Sequence, residues 1–418
     1  MSVQDTSDLV SEDASEVARR LFHDDDVYAA ERRRIFERCW LFVAHEAQIP
    51  EPGDFVASWM GEEPVLVSRA ADGSIDVVVN SCTHRGTRLC TADRGNATAL
   101  TCPYHGWRFG LDGTLLGVPR LAAYGGRLDK AGRGLHRPRV ERFLGLVFAT
   151  FDHDGPSLLD HLGDDLVYYL EAIFDRDGTG TSVLGGIHRW HIPGNWKLPC
   201  ENQAGDLYHP EVSHASTLEM SGESADALEP AVQVTTSEGH AIVVRTMPEG
   251  TPPVELVPGG GRAGLDWFLA RQDRVEARLG AERSRLVPVA GNVFPNLSLL
   301  PQVFSIRVNH PRGPRGTEVW SYCLVPTEAP PEVRRALQGY YQATFGPAGL
   351  VEEEDGDNWI AVTEGSRAAR TDDRLLLISM GLGTERTDER HPGSIAPLYT
   401  EHNQRGFYRC WRRWMAQP

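Results

Sequence analysis

Two short segments restrict this chain more than any other feature. Cys82-Thr-His84-Arg-Gly86 and Cys102-Pro-Tyr-His105-Gly106-Trp each offer one thiol and one imidazole, with seventeen residues between His84 and Cys102. Two thiolates and two neutral imidazoles on short loops are a complete ligand set for a metal group, so this part must fold to bring the loops together. Two groups accept that set: a tetrahedral structural zinc, or a Rieske 2Fe–2S cluster, in which two Cys hold one iron and two His the other.

The spacing separates the two. A zinc finger groups like ligands as C-x₂₋₄-C and H-x₃₋₅-H, with the histidines on a helix. Here each loop supplies one Cys and one His, as a cluster with a sulfur-ligated and a histidine-ligated iron requires. Gly86 and Gly106, next to the histidines, suit backbone amides turned toward inorganic sulfide. The reading is a Rieske centre on Cys82, His84, Cys102 and His105. Cys90 lies between the ligand pairs, but no ligand position is left for it. The seven cysteines are not a disulfide framework in a chain whose first eighteen residues carry five acids and no Lys or Arg, the reverse of a secretory leader.

The surroundings of these loops are strand-like. Phe55–Trp59, Pro64–Ser68 and Ile75–Asn80 alternate with period two, and Asp72-Gly73 reads as a hairpin turn. A second hairpin is expected at Trp107–Gly110 and Thr114–Val118, around Asp112-Gly113. Before them, an acidic, frayed leader of roughly twenty residues is expected. It leads to a helix entered at Asp24–Asp26, with Tyr28, Ile35, Phe36 and Trp40 inward. After His153 the pattern mixes helices (Leu158–Phe174, Leu265–Leu279, Glu332–Phe345, Glu352–Arg370, Thr400–Met415) with strands (Ala231–Thr235, Ala241–Thr246, Leu297–Leu300, Val303–Val308, Glu318–Leu324). The Gly259–Gly261 run reads as a flexible loop. The aromatic residues Phe407, Tyr408, Trp411 and Trp414 have the spacing of a core-facing helix.

The expected fold class is α+β: a small all-β Rieske domain plus a catalytic domain with an antiparallel β-sheet flanked by helices. Its parts are 1–40, a leader and helix belonging to the catalytic domain; 41–153, the Rieske domain; and 154–418, the catalytic domain.

A second constellation lies in Asn195-Trp-Lys-Leu-Pro-Cys-Glu201-Asn202-Gln203-Ala-Gly205-Asp206-Leu-Tyr208-His209-Pro210-Glu211-Val-Ser-His214. On an ideal helix, residues five apart are rotated by about 140°. His209 and His214 can therefore share a metal only if the helix breaks, and Pro210 is the expected break. Two imidazoles joined by a carboxylate form the facial triad of non-haem Fe(II) sites that activate O₂. Asp206 is placed to orient His209, and Glu211 points elsewhere. The acids of Glu352-Glu-Glu-Asp355-Gly-Asp357 open a helix, where solvated negative charge is favourable in any case. Spacing alone does not choose among them.

With both constellations in view, the chain resembles the large (α) subunit of the Rieske non-haem iron aromatic ring-hydroxylating oxygenases, over nearly its whole length. The resemblance rests on C-x-H…C-x-x-H, Asn195-Trp-Lys, Glu201-Asn-x-x-Gly-Asp-x-Tyr-His-x-x-x-x-His214, Val293-Phe-Pro-Asn and Phe345-Gly-Pro-Ala-Gly. The naphthalene and biphenyl dioxygenase branch is nearest, through Gly205-Asp206-x-Tyr208-His209 and His214-Ala-Ser. The family pattern implies an iron triad of His209, His214 and Asp355. It implies that Asp206 bridges His209 to a Rieske histidine, His105, of a neighbouring subunit, which makes the working unit a trimer, either α₃ or, with a small β subunit, α₃β₃. Asn202 and Tyr208 are candidates to shape the iron's surroundings, with plain packing as the alternative.

The implied activity is cis-dihydroxylation of an aromatic ring with O₂, as the terminal component of a system fed by NADH through a separate reductase or ferredoxin. No G-x-G-x-x-G follows a strand, so the chain itself is not expected to bind the dinucleotide. The alternative on the same fold is a monooxygenase that hydroxylates or demethylates a substituted aromatic. Gln203 stands where the family usually has an aromatic, and Val351 where a bulkier residue is common; both changes enlarge or polarise the pocket. Arg307 could meet a carboxylate but reads as a surface residue. A net charge of −16 argues against nucleic acid as a partner, and no apolar run reaches membrane-span length. A cytoplasmic protein is expected.

Overall fold

The computed structural model describes residues 6–221, 228–251, 261–368, 370 and 374–417. The chain divides into two compact units, Phe36–Leu158 and Met1–Ile35 with Leu159–Pro418.

Phe36–Leu158 is all β apart from single turns. Its four-stranded antiparallel sheet runs in the order Ile75–Val79, Glu63–Arg69, Asp54–Met60, Arg94–Asn96. A three-stranded sheet joins Arg139–Phe143, Leu146–Thr150 and Leu41–His45. The Asp72-Gly73 turn closes with Ala70 N donating to Ser74 O at 2.9 Å, and Asp72 Oδ1 takes the Ser74 amide. A third, short sheet (Leu100–Thr101, Arg108–Phe109, Leu115–Gly117) carries the second hairpin. Phe55, Leu66, Val78, Leu89, Trp107, Phe109 and Leu115 form a core that includes Cys82 and Cys102.

The other unit is built on a ten-stranded antiparallel sheet. From one edge the order is Thr181–Val183, Thr317–Pro326, Ser305–Pro311, Leu297–Leu300, Leu286–Val293, Ala241–Thr246, Val232–Thr235, His391–Pro397, Arg386–Asp388; His188–Ile192 also pairs with Thr317–Pro326. Every residue of Leu286–Val293, Leu297–Leu300 and Ser305–Pro311 is buried. Strands covered on both faces lose the in/out alternation that marks a half-exposed strand. That is why Leu286–Val293, with Pro288, Gly291 and Asn292, does not read as a strand. Pro288 sits at a register shift opposite Val244, where a missing amide is tolerated.

The helices differ in detail from expectation. Asp24 caps Asp25–Glu31 by accepting from the amides of Asp26 and Val27, but the helix widens to a π-turn at Arg32–Phe36, and Trp40 is not on it. The expected Leu265–Leu279 helix is two, Gly261–Leu269 and Gln272–Arg283; Gly261 starts the first, while Gly259 and Gly260 lie outside the described residues. The acidic helix spans Glu352–Ser366, short of Arg370. The leader is not frayed where it is described: Val10, Ala14 and Val17 are buried, and Glu16–Val17 pairs with Leu376–Leu377. Small apolar residues between the acids anchor it. Arg307 is also not on the surface. It is fully buried, with Nη1 donating to Glu352 Oε2 at 2.6 Å.

One buried carboxylate ties the second unit together. Glu31 accepts from Trp196 Nε1 (2.9 Å), Lys197 Nζ (2.6 Å) and Trp411 Nε1 (2.8 Å). Trp411 belongs to the His402–Met415 helix, which also buries Phe407, Tyr408 and Trp414.

Candidate metal centres

The two Cys/His loops share one backbone wiring. Cys82 N donates to Thr87 O (2.9 Å), and Gly86 N returns to Cys82 O (2.8 Å). In the other loop, Cys102 N donates to Trp107 O (2.7 Å), and Gly106 N returns to Cys102 O (3.0 Å). Each turn needs its glycine, because φ is +74° at Gly86 and +71° at Gly106. The His84 and His105 rings lie 4.5 Å apart, with the Trp107 indole stacked parallel on His84 at 4.8 Å. Tyr104, more than half exposed, covers His105 at 3.8 Å.

These residues fit a Rieske cluster. The Nδ1 atoms of His84 and His105 are buried without a hydrogen-bond partner, where a bound polar group or metal is called for. Burial, reinforced by the adjacent Cys102 thiol, pushes the Cys82 thiol up, and iron would favour the thiolate instead. Cys90 stays outside: its backbone is held by Asn80, whose Oδ1 takes the Cys90 amide at 3.0 Å.

The second centre is assembled from distant parts of the other unit. The Lys197–Gln203 helix ends on Ala204, and Gly205 follows at φ +127°, where a Cβ would meet Val243 Cγ2 at 2.2 Å. Only glycine lets the chain pass so close to the sheet. Asp206 then accepts the amides of Tyr208 (3.1 Å) and His209 (3.3 Å).

Pro210 does not make the break that the histidine spacing demands. It is the first residue of the one-turn helix Pro210–Ser213, a position that has no amide bond to lose. The break falls at His214, at φ −105° and ψ 22°. With His209 before the turn and His214 after it, the two Nε2 atoms come within 3.2 Å.

Asp355, in the first turn of Glu352–Ser366, completes the set. Its Oδ1 lies 3.2 Å from His209 Nε2 and 3.2 Å from His214 Nε2. Three donors mutually 3.2 Å apart match one face of an octahedron, whose donors at about 2.1 Å from an ion would be about 3 Å apart. These are also the residues that emerge among the described residues as a potential metal site.

The outer ring nitrogens are held as well. His209 Nδ1 lies 3.5 Å from Asp206 Oδ1 and 3.4 Å from Asn202 Nδ2. His214 Nδ1 lies 2.7 Å from Glu354 Oε2, whose other oxygen accepts from Ser216 Oγ. Burial opposes the charge on His209, but Asp206 and Asp355 outweigh it and hold the imidazole up at about 10. His214 is raised despite its burial by Asp355 and Glu354. Burial raises Asp355, but the two imidazoles outweigh it and lower the carboxyl. The site is thus a negative pocket whose protons a cation would displace.

Sequence reasoning missed Glu354, and it named Arg307 as a possible carboxylate partner but placed it on the surface. Glu354 reads as one more solvated acid at a helix start. Arg307 gives no local signal of its burial, yet with Glu352 and the Phe345 carbonyl (2.6 Å) it fixes the start of the Asp355 helix to the sheet. Asn195 N donates to Thr363 Oγ1 (2.9 Å), linking that helix to the Asn195-Trp-Lys segment. Tyr208 is exposed and meets Asp206 through its amide. Glu211 is exposed.

Comparison with known proteins agrees over the whole chain. Residues 39–136 match the family described as Rieske [2Fe-2S] domain, and residues 182–417 match Ring hydroxylating alpha subunit (catalytic domain). The biphenyl 2,3-dioxygenase subunit alpha of Rhodococcus jostii is 36% identical over 99% of this chain and 92% of its own length. The large oxygenase component of a naphthalene 1,2-dioxygenase system from Pseudomonas aeruginosa is 38% identical over 96% and 92%. A crystal structure of naphthalene 1,2-dioxygenase with indole in its active site superposes with a TM-score of 0.90 at 35% identity, covering 100% of this chain and 95% of that one.

Proposed function

We propose, on the premise that this chain belongs to the ring-hydroxylating alpha subunits of the Rieske oxygenases, that it is the terminal oxygenase component that cis-dihydroxylates an aromatic ring with O₂. The observation that carries the reading is the triangle of His209 Nε2, His214 Nε2 and Asp355 Oδ1, each 3.2 Å from the others, in a chain that also carries paired Cys/His loops.

Cys82, Cys102, His84 and His105 would hold the 2Fe–2S cluster, and His209, His214 and Asp355 the mononuclear iron. When bound, the cluster supplies electrons and the iron supplies open positions at which O₂ is activated. The chain's own groups prepare that chemistry. Glu354 accepts a hydrogen bond from His214 Nδ1, leaving Nε2 free as a ligand, and Asp206 with Asn202 orients His209. Arg307 and Glu352 fix the helix that presents Asp355. Tyr208, through its amide, helps hold Asp206 in place.

Electrons come from NADH through a separate ferredoxin or reductase. Asp206 contacts His209 on one side, and its side chain is one-third exposed on the other. That exposure supports a bridge to His105 of a neighbouring copy in an α₃ or α₃β₃ ring. The functional boundaries we assign are 1–40 and 154–418 for the catalytic part and 41–153 for the Rieske part. Among the described residues no helix is long and apolar enough to cross a membrane, and we place the enzyme in the cytoplasm.

The test is product mass under ¹⁸O₂, with the chain loaded with both iron groups and supplied with ferredoxin, reductase and a panel of aromatics. Two labelled atoms on adjacent ring carbons are expected. One labelled atom would move the reading to monooxygenation, and no oxygenated product from any aromatic would overturn it.

A further inference from the structure

The helix beside the triad carries a buried amide with nothing to bond to. Gln203 is 3% exposed, and neither Oε1 nor Nε2 has a hydrogen-bond partner among the described residues. Asn292, 1% exposed, spends its Nδ2 on the Leu297 carbonyl at 3.3 Å and leaves Oδ1 bare. Buried polar groups are seldom left unpaired, and those that are call for a ligand or a functional reason.

The register shows where these amides stand. Cys200 and Gln203, three apart, share one face of their helix. Cys200 Sγ accepts from Asn309 Nδ2 at 3.4 Å, on the Ser305–Pro311 strand. Gly205 rests on Val243, in the Ala241–Thr246 strand. The segment therefore crosses the sheet above the two strands in between, Leu297–Leu300 and Leu286–Val293, with Gln203 on its sheet-facing side. Asn292 pairs with Ser298, Ser298 pairs with Arg307, and Asn309 is two residues beyond Arg307. Paired and alternate residues share a face, so Asn292 lies on the face that this helix covers.

On the same face Val243, Ala290 and Leu300 belong to a buried apolar cluster against which the partly buried Leu207 and Phe345 pack. Asn202, next to Gln203, reaches toward His209. An aromatic ring seated on this cluster beside the triad would present a substituent to these amides.

We propose that Gln203 and Asn292 form a subsite for a neutral, hydrogen-bonding substituent, so that this oxygenase prefers an arene bearing a hydroxyl or carboxamide group to a bare hydrocarbon; this rests on the oxygenase reading above. The substituent is neutral because the charge of Arg307, the guanidinium on this face, is already balanced by Glu352 at 2.6 Å, only its Nε being left without a partner. It both donates and accepts, because the bare atoms of Gln203 and Asn292 are two acceptors and one donor. A site built to pair with a polar group discriminates against the analogue that lacks it.

The test is calorimetric binding of naphthalene, 2-naphthol and 2-naphthamide to the iron-loaded full chain without electron donors. The unsubstituted chain is expected to bind at least one of the two substituted arenes roughly ten-fold or more tighter than naphthalene. Gln203→Met, which keeps the volume and removes both bonds, is expected to cut that preference about ten-fold. Asn292→Ser, an independent probe of the same subsite, cuts it less, and either variant suffices if its thermal midpoint shows that it folds. Equal binding of all three arenes, binding of none, or a preference unchanged in a folded variant overturns the proposal; the last would assign the amides to buried water. A preference that responds to Gln203→Met in a chain that oxygenates no arene would sink the oxygenase reading and leave the subsite standing.

Discussion

The two metal centres solve the same problem in opposite ways. In the Rieske unit the four proposed ligands lie between residues 82 and 105, and each loop is folded by its own backbone: a cysteine amide bonded five residues ahead and a glycine amide bonded back. In the catalytic unit, His209 and Asp355 are far apart in sequence, and no local turn brings them together. They meet because a buried Arg307–Glu352 pair and a glycine pressed against Val243 set two helices on one sheet. The first centre is specified by turn chemistry, and the second by how helices lie on strands. Damage should therefore act locally at the first and travel through the scaffold at the second.

The sharpest way to break that contrast is to remove one ligand from each centre. Cys102→Ser should abolish the visible absorption of the cluster and all oxygenation while still permitting one iron per chain, read by metal analysis with acid-labile sulfide. Loss of all iron would mean that the centres are not independent. Asp355→Ala should do the reverse, keeping two irons, two sulfides and the colour, with product formation falling below about 1%.

Glu354→Gln tests the support that reaches the second centre from outside. It weakens the 2.7 Å contact to His214 Nδ1 and should cost about 10–100-fold in mononuclear iron affinity or turnover. Competition with a chelator measures it, and an effect below two-fold would remove Glu354 from the site.

A smaller effect comes from pH. Burial lowers His161 to about 4, and burial together with His161 lowers His240 to about 3. The unfolded chain binds protons near pH 6.5 that the folded one refuses. Stability from these residues is therefore full above pH 6.5 and is lost as pH falls toward 4, at roughly 1 kcal/mol per pH unit per histidine. Both lie in the catalytic unit. Hydrogen exchange at pH 5 against pH 7 should show the segments packed around His161 and His240 loosening by more than those around His45 and His84, the histidines that burial lowers in the Rieske unit. Equal loosening would erase the difference.

What could be read from the sequence follows the same division. The Rieske loops and the Asp72-Gly73 and Asp112-Gly113 turns are local chemistry, and the residues announce them. His209 and His214 could be paired by spacing, although Pro210 starts the turn and the break falls at His214. Asp355 could be chosen only through family resemblance, because the four other acids of its run, Glu352, Glu353, Glu354 and Asp357, give the same local signal and differ only in where the helix points them. The burial of Arg307 and the Leu286–Val293 strand were hidden because a two-sided sheet erases the alternation that signals which residues face what, and Glu354 was hidden because it reads as one more solvated acid at a helix start.

Glu31 carries a consequence for cooperativity. One carboxylate near the front of the chain is shared by two donors in the middle and one near the end, and Lys197 has no other carboxylate at hydrogen-bond distance among the described residues. If either end peeled away, a buried ammonium or its counterion would lose a share of its partners, a loss felt most in a dry interior. The two ends are thus not free to open before the middle, as the ends of most domains are. The helix that carries Asn202 and Gln203 begins at Lys197, so the proposed iron site inherits an all-or-none character from a side chain more than 160 residues upstream of it.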